Sequence, residues 1–236
     1  MRYFDHLTPA NRWDACADFP VEFLTAARII SEYVAEDDKL LDLEGDVGRF
    51  AMYFADMGCN VTLADSSVAA TEFAKFKAES ASTKLSAVAG NIRAVDGKFN
   101  TVIARFGMGD LSTLLASVSE KLESDGTLIL WVMSQAYDMQ KLLDICPKDL
   151  PTELIPTDTA ALFVDCKTVS DILTENGFAV MRKFSPSGAL PHTDRALINC
   201  SDEAFVRLMN LSMAACESPQ IVEASSCVVF ICRKQN

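Results

Sequence analysis

The residues whose types and spacing could do chemistry fall in five short stretches. The first is LLDLEGDVGRF, Leu40–Phe50, where Asp42, Glu44 and Asp46 alternate with Leu43, Gly45 and Val47 ahead of Gly48. Glycine in such a turn opens backbone dihedrals closed to other residues and lets the chain approach a ligand closely. Carboxylates there attract a cation and repel an anion, by about 4 kcal/mol at ~4 Å and an effective dielectric of ~20. The second stretch, VTLADSS, ends an apolar run in Asp65 and Ser66. The third, AVAGNI, carries Asn91 and Ile92. The fourth, FNTVIARFGMGDL, carries Arg105, Phe106 and Met108. The fifth, SPSGALPHTDR, holds His192, whose imidazole is a candidate general base toward a hydroxyl or amine. Each has a plainer reading beside the chemical one. Asp65 suits a helix N-cap, Asn91 a turn, Arg105 a surface charge, and His192 an exposed loop. The sequence contains no P-loop, no GxSxG and no HExxH.

These stretches need elements to position them. Apolar runs at Lys39–Leu43, Val61–Ala64, Leu85–Ala89, Thr101–Phe106, Thr127–Met133, Ala179–Phe184 and Cys227–Cys232 predict strands. Helical periodicity predicts helices over Val21–Ala35, Arg49–Met57, Val68–Glu79, Leu111–Leu122, Lys167–Asn176 and Asp202–Ala215. Ser66 or Ser67 caps the third of these, and Asp125-Gly126 turns into the fifth strand. Strands that are apolar throughout and alternate with helices imply an α/β, Rossmann-like sheet of seven mostly parallel strands with helices on both faces and an antiparallel last strand. In such a sheet ligands bind beyond the carboxyl ends of the strands, where the first four stretches fall. The predicted organisation is one domain over 1–236, with an N-terminal arm at 1–20 carrying His6 and Trp13. An insertion at 185–226 between strands six and seven forms a lid, with Ser185–Asn199 as its hinge and Asp202–Ala215 presenting Phe205, Leu208, Met209 and Met213.

Composition narrows the class. Half of the 236 residues are apolar and 23% are charged, enough apolar surface to build a core without staples. The net charge of −12 argues against nucleic acid or an anionic membrane surface held by charge. The longest apolar run, Leu128–Met133, is far short of the ~20 residues of a membrane helix, and the opening MRYFDHLTPANRW has no apolar signal core. The eight cysteines form no CxxC and mostly sit in apolar runs, so they read as buried reduced thiols. With His6 and His192 far apart, no metal site is expected. The expectation is a cytoplasmic protein, monomer or homodimer.

The succession of turns from Lys39 to Met133 resembles, in order and spacing, the class I S-adenosylmethionine-dependent methyltransferases. The opening YFDHLTPANRW and the tail CESPQIVEASSCVVFICRK are similar to a small-molecule subgroup of them. The resemblance implies S-adenosylmethionine as cofactor and a small molecule as methyl acceptor. It assigns the methionine part of the cofactor to Asp42, Glu44, Gly45, Asp46 and Gly48. The ribose goes to Asp65 with Ser66, the adenine to Asn91 with Ile92, and the side of the transferred methyl to Arg105 and Phe106. His192 and Arg105 would face the acceptor. The family's pattern from Asp42 has glycine at 44, 46 and 48; this chain has Glu44, Asp46 and Gly48. Two readings follow: an active methyltransferase, or the same fold serving as a binding or regulatory partner.

Overall fold

The structure, a computed structural model, describes residues 20–107, 109–134, 136–137, 139, 155, 160–188 and 200–235. Among these, seven strands form one sheet in the order β3-β2-β1-β4-β5-β7-β6. They are β1 (Lys39–Leu43), β2 (Asn60–Asp65), β3 (Leu85–Ala89), β4 (Phe99–Phe106), β5 (Leu122–Met133), β6 (Phe178–Phe184) and β7 (Cys227–Lys234). Most run parallel and the last runs antiparallel, the Rossmann-like α/β sheet that the sequence predicts. The helices are α1 (Pro20–Ile30), α2 (Arg49–Asp56), α3 (Val68–Ser80), α4 (Leu111–Lys121), α5 (Cys166–Glu175), α6 (Asp202–Ala215) and α7 (Pro219–Glu223).

The inner apolar runs are strands for the expected reason: their side chains vanish into two covered faces, while the edge strands β3 and β6 bury less. Leu40, Leu41, Leu63, Val102, Ile103, Leu128, Ile129, Leu130 and Val228–Cys232 are buried. The helices end where polar side chains or glycine stop them. Ser67 Oγ accepts the Ala70 N–H at 3.2 Å and caps α3, while Asp110 caps α4 by accepting the Ser112 N–H at 3.0 Å. Asp110 is held below the ordinary carboxylate range, first by its hydrogen bond from Thr113.

Register is what builds the site. Leu43 pairs with Ala64 of β2 and Ala104 of β4, and Asp65 pairs with Ala89 of β3. The carboxyl ends of four strands therefore lie level along one edge. The chain leaves β1 toward β2 on one side while β4 lies on the other, which makes β1–β4 the switch point of the sheet.

Two compact units divide the chain. One is Ala27–Trp131 with Thr168–Arg182 and the described residues from Phe230 on. The other is the described parts of Met1–Ala26, Val132–Lys167 and Lys183–Val229. In the latter, α6 is pinned at its C-terminal end: the Ser185 N–H donates to the Cys216 carbonyl at 2.8 Å, and Ser212 is fully buried. Gly188, at φ 56, packs so tightly on Ser212 that a Cβ would stand 2.0 Å from its Oγ. Of the described cysteines, Cys59, Cys166, Cys216, Cys227 and Cys232 are buried and Cys200 is half-buried, all as free thiols. No described helix is long and apolar enough to cross a membrane.

Candidate functional site

The turn after β1 keeps a glycine-type backbone although two of its three glycine positions carry side chains. Glu44 lies at φ 55, Asp46 at φ 53 and Gly48 at φ 82. A left-handed conformation costs an L-residue roughly 1–2 kcal/mol, less for aspartate than for most. The neighbouring strand fastens the turn. The Glu44 N–H donates to the Ala64 carbonyl at 2.7 Å, and the Asp46 N–H donates to Asp65 Oδ2 at 2.8 Å. Gly48 then opens α2 as its N-cap residue. Gly45 is glycine for space: a Cβ there would stand 2.1 Å from Leu63 Cδ1 and 2.8 Å from the Asp42 carboxylate.

Beneath the turn lies a buried ion pair. Arg105 Nη1 donates to Asp42 Oδ1 at 2.8 Å and to the Glu44 carbonyl oxygen at 2.9 Å. The Asp42 side chain is 0% exposed and that of Arg105 20%. Burial pushes Asp42 above its ordinary range, against the pull of Arg105. Burial also disfavours the guanidinium charge, but the attraction and hydrogen bond of Asp42 together with the charges of Asp46 and Asp65 outweigh it, and Arg105 is held above its usual value. Asp42 Oδ2 is buried with no hydrogen-bond partner among the described residues. The Arg105 guanidinium stands 5.8 Å from the Phe50 ring, which in turn lies 5.5 Å from Trp131. Arg105 thus sits against the first turn, among the carboxylates, and Phe106 beside it is half-buried.

Asp65 ends β2 with 6% exposure. Its Oδ1 accepts the Ser67 N–H and its Oδ2 the Asp46 N–H, both at 2.8 Å. A carboxylate oxygen has two acceptor sites, so each retains capacity for a ligand donor. Ser66 is exposed, and Ser67 rather than Ser66 is the cap. Asn91 is exposed and its Oδ1 accepts the Arg93 N–H at 3.0 Å, capping a 3-10 turn, Ile92–Ala94, in which Ile92 is buried. Asp65 therefore ties two turns together and Asn91 caps a 3-10 turn, each at the carboxyl end of the strand before it. His192, Met108, His6 and Trp13 lie outside the described residues.

Sequence reasoning missed two features. One is the destination of Arg105, which depends on the pairing of Leu43 with Ala104. The other belongs to the second unit. The Tyr137 hydroxyl donates to Glu22 Oε1 at 2.6 Å, and Thr25 Oγ1, one turn along α1, is buried with no partner among the described residues. Glu22 and Tyr137 are 115 residues apart, and no spacing signal connects them.

No protein-family model and no curated protein matches the sequence. Solved structures do match. An S-adenosylmethionine-dependent methyltransferase from Clostridium acetobutylicum aligns with TM-score 0.58 and 12% identity, over 92% of this chain and 92% of that one. Magnesium protoporphyrin IX methyltransferase from Synechocystis, with S-adenosylhomocysteine bound, aligns with TM-score 0.54 and 13% identity, over 92% and 83%. The ribosomal protein L11 methylase of Lactobacillus delbrueckii aligns with TM-score 0.55 and 13% identity, over 92% and 77%. What the chain shares with them at these identities is the fold.

Proposed function

We propose, from the class I S-adenosylmethionine-dependent methyltransferase fold that this chain has, that it transfers a methyl group from S-adenosylmethionine to a small-molecule acceptor. The observation that carries this reading is the first turn. Glu44, Asp46 and Gly48 share left-handed dihedrals at φ 55, 53 and 82. Left-handed non-glycine residues also occur singly in this chain, at Asp37, Ser82 and Asp125, but here two stand at alternate positions of one turn at the switch point of the sheet, and strained residues cluster in this way at ligand sites.

The donor set fits the cofactor. Its methionine part is a zwitterion beside a sulfonium, and the first turn offers the carboxylates of Glu44 and Asp46 with the Arg105 guanidinium among them. Asp65 would hold the ribose hydroxyls through its remaining acceptor capacity. Ser66, Asn91 and Ile92 would flank the adenine. Asp42, Gly45 and Gly48 shape the methionine pocket from below.

When bound, the cofactor would supply a methyl group activated by its sulfonium, open to in-line attack by the acceptor with the neutral thioether as leaving group. The chain's own contribution is orientation and exclusion of water. Asp65 fixes the turn to β2, and Phe50 and Trp131 close the base of the pocket with apolar surface. Arg105 keeps the buried Asp42 charge compensated. His192 is the candidate for taking the acceptor's proton. The reading is of a cytoplasmic enzyme, in which reduced thiols such as Cys232 stay buried.

A second reading, the fold without transfer activity, is favoured by the carboxylates of Glu44 and Asp46 at the two positions that usually carry glycine. Calorimetric titration with S-adenosylmethionine at two salt concentrations separates the two, using the unmodified chain and Glu44→Gly/Asp46→Gly. The active reading expects micromolar binding by the unmodified chain, little improved by the glycines. No binding by the unmodified chain, with tight, salt-insensitive binding by the variant, would establish the inactive reading.

A further inference from the structure

We propose that Arg105 is a positioning residue: it holds residue 44 in the left-handed conformation that glycine would adopt unaided, and so keeps a glycine-poor turn in cofactor-binding shape. The inference rests on the methyltransferase reading for what the turn binds, but the clamp is argued from the chain alone.

The three left-handed positions of the turn are not held alike. Gly48 has local bonds, its N–H donating to the Gly45 carbonyl at 3.0 Å and its carbonyl accepting the Met52 N–H at 2.8 Å. The two that carry side chains are each tied to distant chain. Asp46 is held from β2, through its N–H and Asp65 Oδ2 at 2.8 Å. Glu44 is held on both sides. Its N–H donates to the Ala64 carbonyl at 2.7 Å, and its carbonyl accepts from Arg105 Nη1 at 2.9 Å. One anchor fixes the peptide before Glu44 Cα and the other fixes the peptide after it. Between them they determine both dihedrals of the residue. Rotation of Glu44 to the ordinary negative φ would re-aim its carbonyl and break the Arg105 bond.

Arg105 is itself immobilised for this task. The same Nη1 is bound to Asp42 Oδ1 at 2.8 Å, a fully buried carboxylate within β1. The guanidinium is thus referenced to the sheet, and the turn is referenced to the guanidinium. A rigid planar fork suits this bridging role better than a flexible ammonium. A glycine at position 44 would make the bridge unnecessary, because φ near 55 carries no steric penalty for glycine. The chain has the arginine where a glycine-containing turn needs none.

A double-mutant cycle tests the clamp: Arg105→Met and Glu44→Gly, singly and together, in the full chain. Two readouts are taken: amide hydrogen exchange over residues 45–48, and calorimetric affinity for S-adenosylhomocysteine. Arg105→Met should speed exchange in the turn and weaken binding, each by about tenfold or more. Glu44→Gly in that background should restore exchange over residues 45–48 to within about threefold of the unmodified chain, while changing that exchange little in the presence of Arg105. Arg105→Lys, which keeps a cation against Asp42, secures a folded protein for the same comparison should the methionine variant not fold. Additive effects, with no recovery of exchange by Glu44→Gly, would overturn the clamp and leave Arg105 as a counter-charge to Asp42 alone. If exchange is recovered while no variant binds the nucleoside, the clamp stands and the methyltransferase reading falls.

Discussion

Removing Arg105 should destabilise the protein in a pH-dependent way, and the direction follows from burial. Arg105→Met leaves Asp42, whose side chain is 0% exposed, without its cation. Breaking a buried pair by deleting one partner costs about 3–5 kcal/mol. Arg105 is 20% exposed, so water reaches the pair from one side and the lower end, about 3 kcal/mol, is expected near pH 7.5. The carboxyl has one escape, which is to take up a proton. Burial already raises Asp42 above the ordinary 3.8, and without Arg105 it rises further. The native state then binds more protons than the unfolded chain in the window above 3.8. Its stability accordingly falls as pH rises from 3.8 to the raised native value, and levels off above it. The loss relative to the unmodified chain should therefore be smaller at pH 5 than at pH 7.5. Urea unfolding followed by circular dichroism at both pH values measures it. A loss that is equal at the two pH values, or larger at pH 5, would refute the reasoning.

Other outcomes follow from the same geometry. Asp65→Ala removes the acceptor of two backbone N–H groups and should weaken S-adenosylhomocysteine by about 1.5–3 kcal/mol, roughly 10–150-fold in a calorimetric titration; equal binding by both proteins would move the nucleoside site elsewhere. Gly45→Ala places a methyl 2.1 Å from Leu63 Cδ1 and should cost about 1–3 kcal/mol by urea midpoint, since the turn above and the strand beneath are both anchored. The Cys232 thiol is pushed up to about 12 by burial, so iodoacetamide near pH 8 should label half-buried Cys200 well before Cys232 in peptide mass spectrometry.

Much of the fold was legible because a doubly covered parallel sheet writes its strands as continuous apolar runs. β1 and β3 occupy the predicted Lys39–Leu43 and Leu85–Ala89, and α6 the predicted Asp202–Ala215. β2, β4, β6 and β7 run one or two residues longer than their apolar runs, and the added residues include the buried Asp65, Phe99 and Phe178. The fifth strand differs more. Asp125-Gly126 reads as a turn, yet β5 begins at Leu122 and passes through Asp125 at φ 58. A single left-handed residue is compatible with a locally bent strand as well as with a turn. The helix predicted over Val21–Ala35 stops at Ile30 and tightens into a 3-10 turn, Ser31–Tyr33, where Ser31 Oγ donates back to the Ala27 carbonyl at 2.6 Å. The short α7 was not foreseen.

The site was legible in part. Asp65 could be placed at a strand end because the apolar run before it stops there. That Glu44 and Asp46 take glycine's dihedrals could not be read, since local preference opposes it and the anchors at Ala64, Asp65 and Arg105 come from other strands. The same holds for the Arg105–Asp42 pair, whose members are 63 residues apart and meet only through register.

The most direct measurement of the central claim is amide hydrogen exchange of the full chain with and without saturating S-adenosylhomocysteine. The account predicts slowed exchange at residues 44–48 and 65–67, the turn after β1 and the turn after β2, together with residues 90–92 after β3. Protection confined to other segments, or no change at any ligand concentration, would contradict it.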